Sequence, residues 1–139
     1  MFVALDIGSV RTGVAVSDRE NIITTPHSII HTGSASPAVL CDAVLDCIAE
    51  YDNLEGIVLG YPDETDVRAS KICASVREVR RILEQSLEVP VFYQDEQFSS
   101  RRAADRVGKT RRKGKKILLD AMAAAVILED FLEYTRKQR

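Results

Sequence analysis

The chain has 139 residues, of which 45% are hydrophobic and 29% are charged, and this length predicts one domain over residues 1–139. No apolar run approaches the roughly 18 residues of a membrane span. The amino terminus lacks the basic region of a signal peptide, so we expect a cytoplasmic protein that does not bind a membrane. The three cysteines contain no CxxC pair, which argues against a disulfide framework or a zinc site and favours reduced core residues.

Charge is distributed unevenly along the chain, although the formal net charge is only −2. Residues 1–96 hold 7 basic and 16 acidic side chains, a net −9, whereas residues 97–139 hold 12 basic and 5 acidic side chains, a net +7. Such asymmetry indicates an anionic partner that meets the C-terminal part.

Five apolar segments predict β-strands. The first two enclose a glycine-containing turn and form a hairpin, and Pro26 makes the third an edge strand or breaks it. The fourth is continuously apolar, as expected in a sheet covered on both faces. The predicted strands are residues 2–5, 14–17, 21–31, 56–60 and 90–93.

Helical periodicity follows the hairpin and alternates with the later strands. Ser36 as N-cap and Pro37 at the first helical position begin the first helix. A short helix starts at Ser99 or Ser100, and residues 107–116 form a basic loop. The longer predicted helices are residues 38–51, 66–86 and 117–136. The order βββαβαβαα predicts an α/β fold with a five-stranded mixed sheet flanked by helices, its fourth and fifth strands parallel to the first.

Two acidic positions follow strands at one edge of this sheet. Asp6 ends the first strand, and Gly8 and Gly13 leave room for a phosphate to approach the backbone there. Asp95 and Glu96 follow the fifth strand, and they cannot both point the same way on an extended chain. Ligands of open α/β sheets bind at this carboxyl edge, but spacing does not choose between Asp95 and Glu96.

A third acid, Asp120, interrupts the alanine-rich run of the last helix. An acid in the first turn of a helix complements the macrodipole, which is a sufficient structural explanation for Asp120 alone. The small alanines around it would also let the helix approach the sheet and bring Asp120 beside Asp6 and Glu96. Three such carboxylates repel one another unless divalent metal is bound. We expect Mg²⁺ or Mn²⁺, and two ions with substrate bound.

Four segments resemble the YqgF family, also called RuvX, whose members are described as Holliday junction resolvases or pre-16S rRNA nucleases. The resemblance covers nearly the whole chain in order. It is carried by Leu5–Gly8 with Gly13–Asp18, Ile57–Pro62, Tyr93–Glu96 with Ser99–Ser100, and Lys115–Ala124. It implies an RNase H-like fold, places the family's metal-binding acids on Asp6, Glu96 and Asp120, and implies a role in processing the ends of 16S rRNA.

The chain departs from the family pattern at two places. The family's Asp-Glu-Arg is Asp95-Glu96-Gln97 here, so a basic residue beside the metal site is lost, and Arg101 or Arg102 is a candidate substitute. The usual Gly-Leu-Pro is Gly60-Tyr61-Pro62, followed by an acidic loop over residues 63–66. These departures affect phosphate handling rather than the three metal-site acids.

A cluster of cations precedes and begins the last helix. Cations that track a phosphate backbone suit a phosphodiester-cleaving site, although a charge run is also typical of a solvated loop. With Arg101 and Arg102, the predicted nucleic-acid-binding residues are Lys109, Arg111, Arg112, Lys113, Lys115 and Lys116. His27 and His31 share a strand face and are interpreted as surface or structural residues. Tyr93 is interpreted as a core residue.

These features favour a metal-dependent nuclease acting on pre-16S rRNA, with Asp6, Glu96 and Asp120 catalytic and Gly8 approaching phosphate. The alternatives are a Holliday junction resolvase and a nucleic-acid-binding assembly factor that cleaves poorly. An actin-like ATPase needs two related domains, for which the chain has no room. We expect a monomer or a weak homodimer.

Overall fold

The computed structural model describes residues 1–31, 33, 36–95 and 114–138, and of residues 114–118 it describes the backbone only. Five strands lie in this part of the chain: β1 (Phe2–Ile7), β2 (Arg11–Ser17), β3 (Thr24–His31), β4 (Gly56–Tyr61) and β5 (Val91–Asp95). The helices described are α1 (Pro37–Ile48), a 3₁₀ turn (Val67–Ala69), α2 (Ser70–Ser86) and α3 (Gly114–Lys137). No helix in the described ranges is long and apolar enough to cross a membrane.

The strands form one mixed sheet in the order β3-β2-β1-β4-β5. The pairs β1–β2 and β2–β3 are antiparallel, whereas β1–β4 and β4–β5 are parallel, as predicted. The expectation that Pro26 lies in an edge strand is confirmed. The register between β2 and β3 shifts at Val14/Ala15, opposite Pro26, and an irregularity of this kind accommodates a residue that cannot donate to the ladder.

The two faces of the sheet are covered by different helices. Helices α1 and α2 pack on one face, where Leu5, Ile57 and Leu83 are buried in the larger apolar cluster. Helix α3 covers the other face, where Ala4 and Ala15 meet a second cluster from that helix. Successive residues of a strand alternate between these faces, so the side to which each site residue points follows from its position.

Three predicted helix bounds differ from the structure. Helix α1 ends at Ile48 rather than residue 51, and the second helix is divided, with Asp66 capping a 3₁₀ turn before α2. Helix α3 begins at Gly114, so Lys115 and Lys116 are helical rather than part of a loop, consistent with the good helix propensity of lysine. Asp120 therefore lies in the second turn, where a macrodipole effect has largely fallen off.

The cysteines are free, as predicted. Cys41 and Cys73 are buried, whereas Cys47 is only half-buried. Burial raises the pKa of the Cys41 thiol to about 11, which keeps that group protonated and suits a packing role.

Candidate active site at the carboxyl end of β1

Asp6 faces helix α3. Its position on β1 is two residues beyond Ala4, which packs in the α3 cluster, and side chains two apart on a strand share a face. Its cross-strand partner on β2 is Gly13. Directly opposed residues of an antiparallel pair point to the same side, so whatever lies over Gly13 is also a neighbour of Asp6.

The backbone of Asp120 lies over Gly13. A Cβ atom built on Gly13 would be 2.1 Å from the carbonyl oxygen of Asp120 and 3.1 Å from the amide nitrogen of Ala121. No side chain fits in that space, so glycine is what permits α3 to cross β2 here. The crossing places Asp120 and Asp6 on the same face, next to each other along the sheet edge.

Arg11 completes this cluster. It begins β2 on the same face as Gly13, and its Nε donates to Oδ2 of Asp120 over 2.6 Å. The two side chains are 20% and 29% exposed, respectively, so the ion pair is partly shielded from water. Charge-assisted hydrogen bonds of this length are among the stronger polar contacts in proteins, and this one fixes the Asp120 carboxylate at the end of β1.

Arg11 was not among the site residues predicted from the sequence. The predicted substitutes for the family's arginine at Gln97 were Arg101 and Arg102. Arg11 lies in the first hairpin, 109 residues from Asp120. Its position two residues before Gly13, in a strand that starts beside Asp6, was the available signal.

Asp95 points away from this cluster. Phe92, on the same strand, contacts Phe131 of α3, so Phe92 and Gln94 face α3 and Asp95 faces the other way. In agreement, Asp95 lines a cavity with Tyr61 and Tyr93 on the α2 side. Glu96, the other acid of this pair, lies outside the described residues.

The remaining predicted site residues are described only in part. Within the described ranges, no group of three or more His, Cys, Asp or Glu side chains could hold a metal ion. Lys115 and Lys116 lie in the first turn of α3, on the helix that carries Asp120. Outside the described residues are Arg101, Arg102, Lys109, Arg111, Arg112 and Lys113.

Gly8 and the histidines have local structural explanations. The amide of Gly8 donates to the carbonyl of Arg11 over 2.9 Å, and a Cβ on Gly8 would be 2.7 Å from that oxygen. Glycine is therefore required by the tight turn, whatever else approaches it. His27 lies 3.7 Å from the carboxylate of Glu50 and its ring contacts Tyr51, while His31 is exposed.

The fold is RNase H-like. The chain superposes on the solved structure "T. thermophilus RuvC in complex with Holliday junction substrate" with a TM-score of 0.63, covering 99% of this chain and 95% of that one at 14% identity. At that identity the likeness establishes the fold alone.

The family follows from a sequence model described as "RuvX: Holliday junction resolvase", which matches residues 1–134. The chain belongs to the RuvX family, as the resemblance implied. Curated relatives carry the name "Putative pre-16S rRNA nuclease". One from Lactobacillus acidophilus is 31% identical over 96% of each chain. Another from Ruegeria pomeroyi is 34% identical over 95% of this chain and 85% of its own.

Proposed function

We propose that this protein is a metal-dependent nuclease that hydrolyses phosphodiester bonds in structured nucleic acid, with the ends of pre-16S rRNA as its first candidate substrate. The observation that carries the proposal is the crossing of α3 over Gly13, which brings Asp120 to the strand end that carries Asp6. The substrate is taken from the name of the curated relatives.

The donor chemistry suits a hard divalent cation. Asp6 and Asp120 offer carboxylate oxygens on one face, and Mg²⁺ or Mn²⁺ prefers oxygen ligands and needs few from the protein. Glu96 is the third proposed ligand. Its neighbour Asp95 faces the α2 side. Because side chains alternate along an extended strand, we propose Glu96 rather than Asp95 as the ligand on the α3 side. Bound divalent metal would activate water and stabilise the leaving oxygen.

Arg11 has two roles in this proposal. It neutralises Asp120 through the 2.6 Å contact when no metal is bound, and it supplies positive charge where a phosphate would lie against the carboxylates. A guanidinium can donate to a carboxylate and a phosphate together because it carries five N–H donors in a planar fork. Arg11 thus compensates for the arginine that Gln97 replaces.

The predicted cations of residues 101–116 would hold the phosphate backbone on either side of the cleaved bond. Such contacts give affinity without sequence preference and weaken steeply with salt. Gly8, at the turn beside Asp6, is the proposed point of closest backbone approach to phosphate.

The experiment is cleavage of RNA that carries unprocessed 16S ends, with Mg²⁺ or Mn²⁺, by the wild-type protein and Asp6→Asn. We expect the variant to lose on the order of 100-fold in rate or more, as when one electrostatic stabiliser leaves an active site. Asp52→Asn is the matched control, because Asp52 is exposed and pairs only loosely with Arg19 at 3.4 Å. Equal cleavage by wild type and Asp6→Asn would refute the proposal.

Two other functions are kept as outcomes of the same assay. The family description and the junction-bound structural neighbour favour Holliday junction cleavage, so four-way DNA junctions are included as substrates. The Arg11 contact already occupies Asp120, which favours a non-cleaving assembly factor. That role would be indicated by binding of both nucleic acids without cleavage of either.

A further inference from the structure

The cavity lined by Asp95, Tyr61 and Tyr93 opens at the same edge of the sheet, on the face opposite Asp6. It has a volume of about 610 Å³ and lies where β4 and β5 end. Its wall combines two tyrosines, an arginine and acidic side chains from the loop after β4. The lining residues are Tyr61, Pro62, Asp63, Glu64, Thr65, Arg77, Tyr93 and Asp95.

The two tyrosine rings of this wall contact each other at a tilt, and one of them also contacts a guanidinium group. The ring centroids of Tyr61 and Tyr93 are 4.8 Å apart at an angle of 50°, and the guanidinium of Arg80 lies 4.4 Å from the Tyr93 ring centroid. Tyr93 is 38% exposed, so the sequence interpretation of it as a core residue is wrong. Its strand β5 is at the sheet edge, where α2 covers it incompletely.

Polar contacts hold Tyr61 in place. Its hydroxyl donates to Glu64 and accepts from Nη1 of Arg77 over 2.6 Å. The hydrogen bond to Glu64 is the main reason that the pKa of Tyr61 is raised. A neutral, immobilised ring loses little conformational freedom when a flat ligand stacks on it.

The charges of the cavity select against phosphate and in favour of hydrogen-bond donors. The carboxylates of Asp63, Glu64 and Asp95 line the cavity with a single cation, Arg77, which pairs with Glu64 at 3.7 Å, so acids outnumber bases. Carboxylates only accept hydrogen bonds, and among flat aromatic ligands they suit those with amino groups. The N4 amino group of cytosine is a recognised donor to Asp and Glu, whereas uracil presents a carbonyl at that position.

The cavity is close to the proposed active site. Leu5 of β1 pairs with Leu59 of β4, which pairs with Tyr93 of β5. Asp6 is one residue beyond Leu5 and Tyr61 is two beyond Leu59, on strands about 5 Å apart. A nucleic-acid strand that passes over this edge of the sheet from Asp6 would therefore meet Tyr61 and Tyr93 next.

We propose that this cavity binds one unpaired, amino-bearing base of the nucleic-acid strand that enters the active site. The inference rests on the proposed nuclease function and names a feature of its substrate, namely a single-stranded nucleotide beside the cleaved bond. The base stacks on the Tyr61–Tyr93 platform, as bases do on aromatic side chains in single-strand-binding proteins. Tyr61 replaces the leucine of the family pattern, so the site is a property of this chain.

The test is fluorescence anisotropy with labelled oligocytidylate, in EDTA so that no cleavage occurs. Tyr61→Leu and Tyr93→Leu are each expected to weaken binding roughly 5- to 100-fold, the range for loss of one stacked base. Tyr61→Phe and Tyr93→Phe keep the ring and are expected to bind within a few-fold of wild type. Tyr134→Leu is the control, because Tyr134 is 60% exposed and lies on α3 outside this cavity. Thermal unfolding of each variant verifies that it is folded.

The outcomes separate this inference from the proposed function. Unchanged binding by both leucine variants would overturn the inference even if the wild type cleaves RNA, whereas absence of cleavage with weakened binding would overturn only the nuclease proposal. Oligouridylate is expected to bind more weakly than oligocytidylate, and equal binding would contradict recognition of the amino group. An arginine-rich peptide is the competing occupant. If the leucine variants lose that peptide but retain oligocytidylate, the cavity binds protein and the inference is wrong.

Discussion

The two faces of the sheet are packed in different ways. On the α1/α2 face, bulky side chains such as Leu5, Ile57 and Leu59 are fully buried between the sheet and two helices. On the α3 face, one helix lies against Ala4, Ala15 and Gly13, so its backbone comes into contact with the strand itself.

Because of this difference, the α1/α2 face contributes mainly to the stability of the fold, whereas the α3 face also determines where the site residues lie. Large apolar side chains bury more area and contribute more to the free energy of unfolding. Small residues contribute less area, but they let α3 approach closely enough to place Asp120 beside Asp6. Substitutions on the first face should therefore change stability alone, and those on the second should also change the site.

The largest stability effect is expected from Leu5→Ala. Leu5 is fully buried on the α1/α2 face, and truncation of such a leucine leaves a cavity that costs about 2–5 kcal/mol of unfolding free energy. Denaturant unfolding measures the loss, and metal affinity of the folded protein should be unchanged. Ile22→Ala, at a side chain that is 58% exposed, should stay within about 0.5 kcal/mol of wild type. A change in metal affinity for Leu5→Ala would mean that the two faces are not independent.

Gly13→Ala tests the other face. Its new Cβ would overlap the Asp120 carbonyl, and because backbone must move, we expect about 1–3 kcal/mol of destabilisation together with weaker metal binding. The matched control is Gly56→Ala. Gly56 is a strand glycine at the amino end of β4, away from the site, and the atom nearest to its new Cβ would be in the Phe2 ring at 2.9 Å. It should cost less and leave metal affinity intact. If Gly13→Ala binds metal like wild type, close approach of α3 is not what builds the site.

The smallest stability effect is expected from Arg11→Gln, about 1 kcal/mol, because the pair with Asp120 is only partly shielded. The diagnostic result is that the affinities for Mg²⁺ and for nucleic acid change in opposite directions. Removal of a competing cation should strengthen Mg²⁺ binding, whereas loss of positive charge should weaken nucleic-acid binding, both measured by titration. Arg19→Gln, which removes an exposed pair with Asp52, should alter neither. Weaker binding of both ligands would show that Arg11 acts only by supporting the fold.

Local patterns were sufficient to predict the sheet, its parallel strands and the position of Asp6, because strand alternation and crossovers are set by short stretches of sequence. They also predicted Pro26 at an edge. They could not predict the role of Gly13, which depends on a helix more than 100 residues later crossing that point of the sheet. The sequence interpretation assigned its lack of a side chain to phosphate instead.

Contacts between distant segments account for the other differences. The Arg11–Asp120 pair spans 109 residues, and no spacing rule connects two such positions. Tyr93 has the apolar neighbours of a core residue, yet it is exposed because β5 is an edge strand that α2 does not fully cover. Which element covers a strand is a tertiary property that the strand's own sequence does not contain.

The central claim, that Asp6 and Asp120 together hold a divalent cation, is tested most directly by calorimetric titration of Mn²⁺ without nucleic acid. We predict that Asp6→Asn and Asp120→Asn each lose about tenfold or more in affinity, at least the loss seen when a residue that merely supports a ligand is removed, while Asp52→Asn binds like wild type. Wild-type affinity in both site variants would contradict the claim.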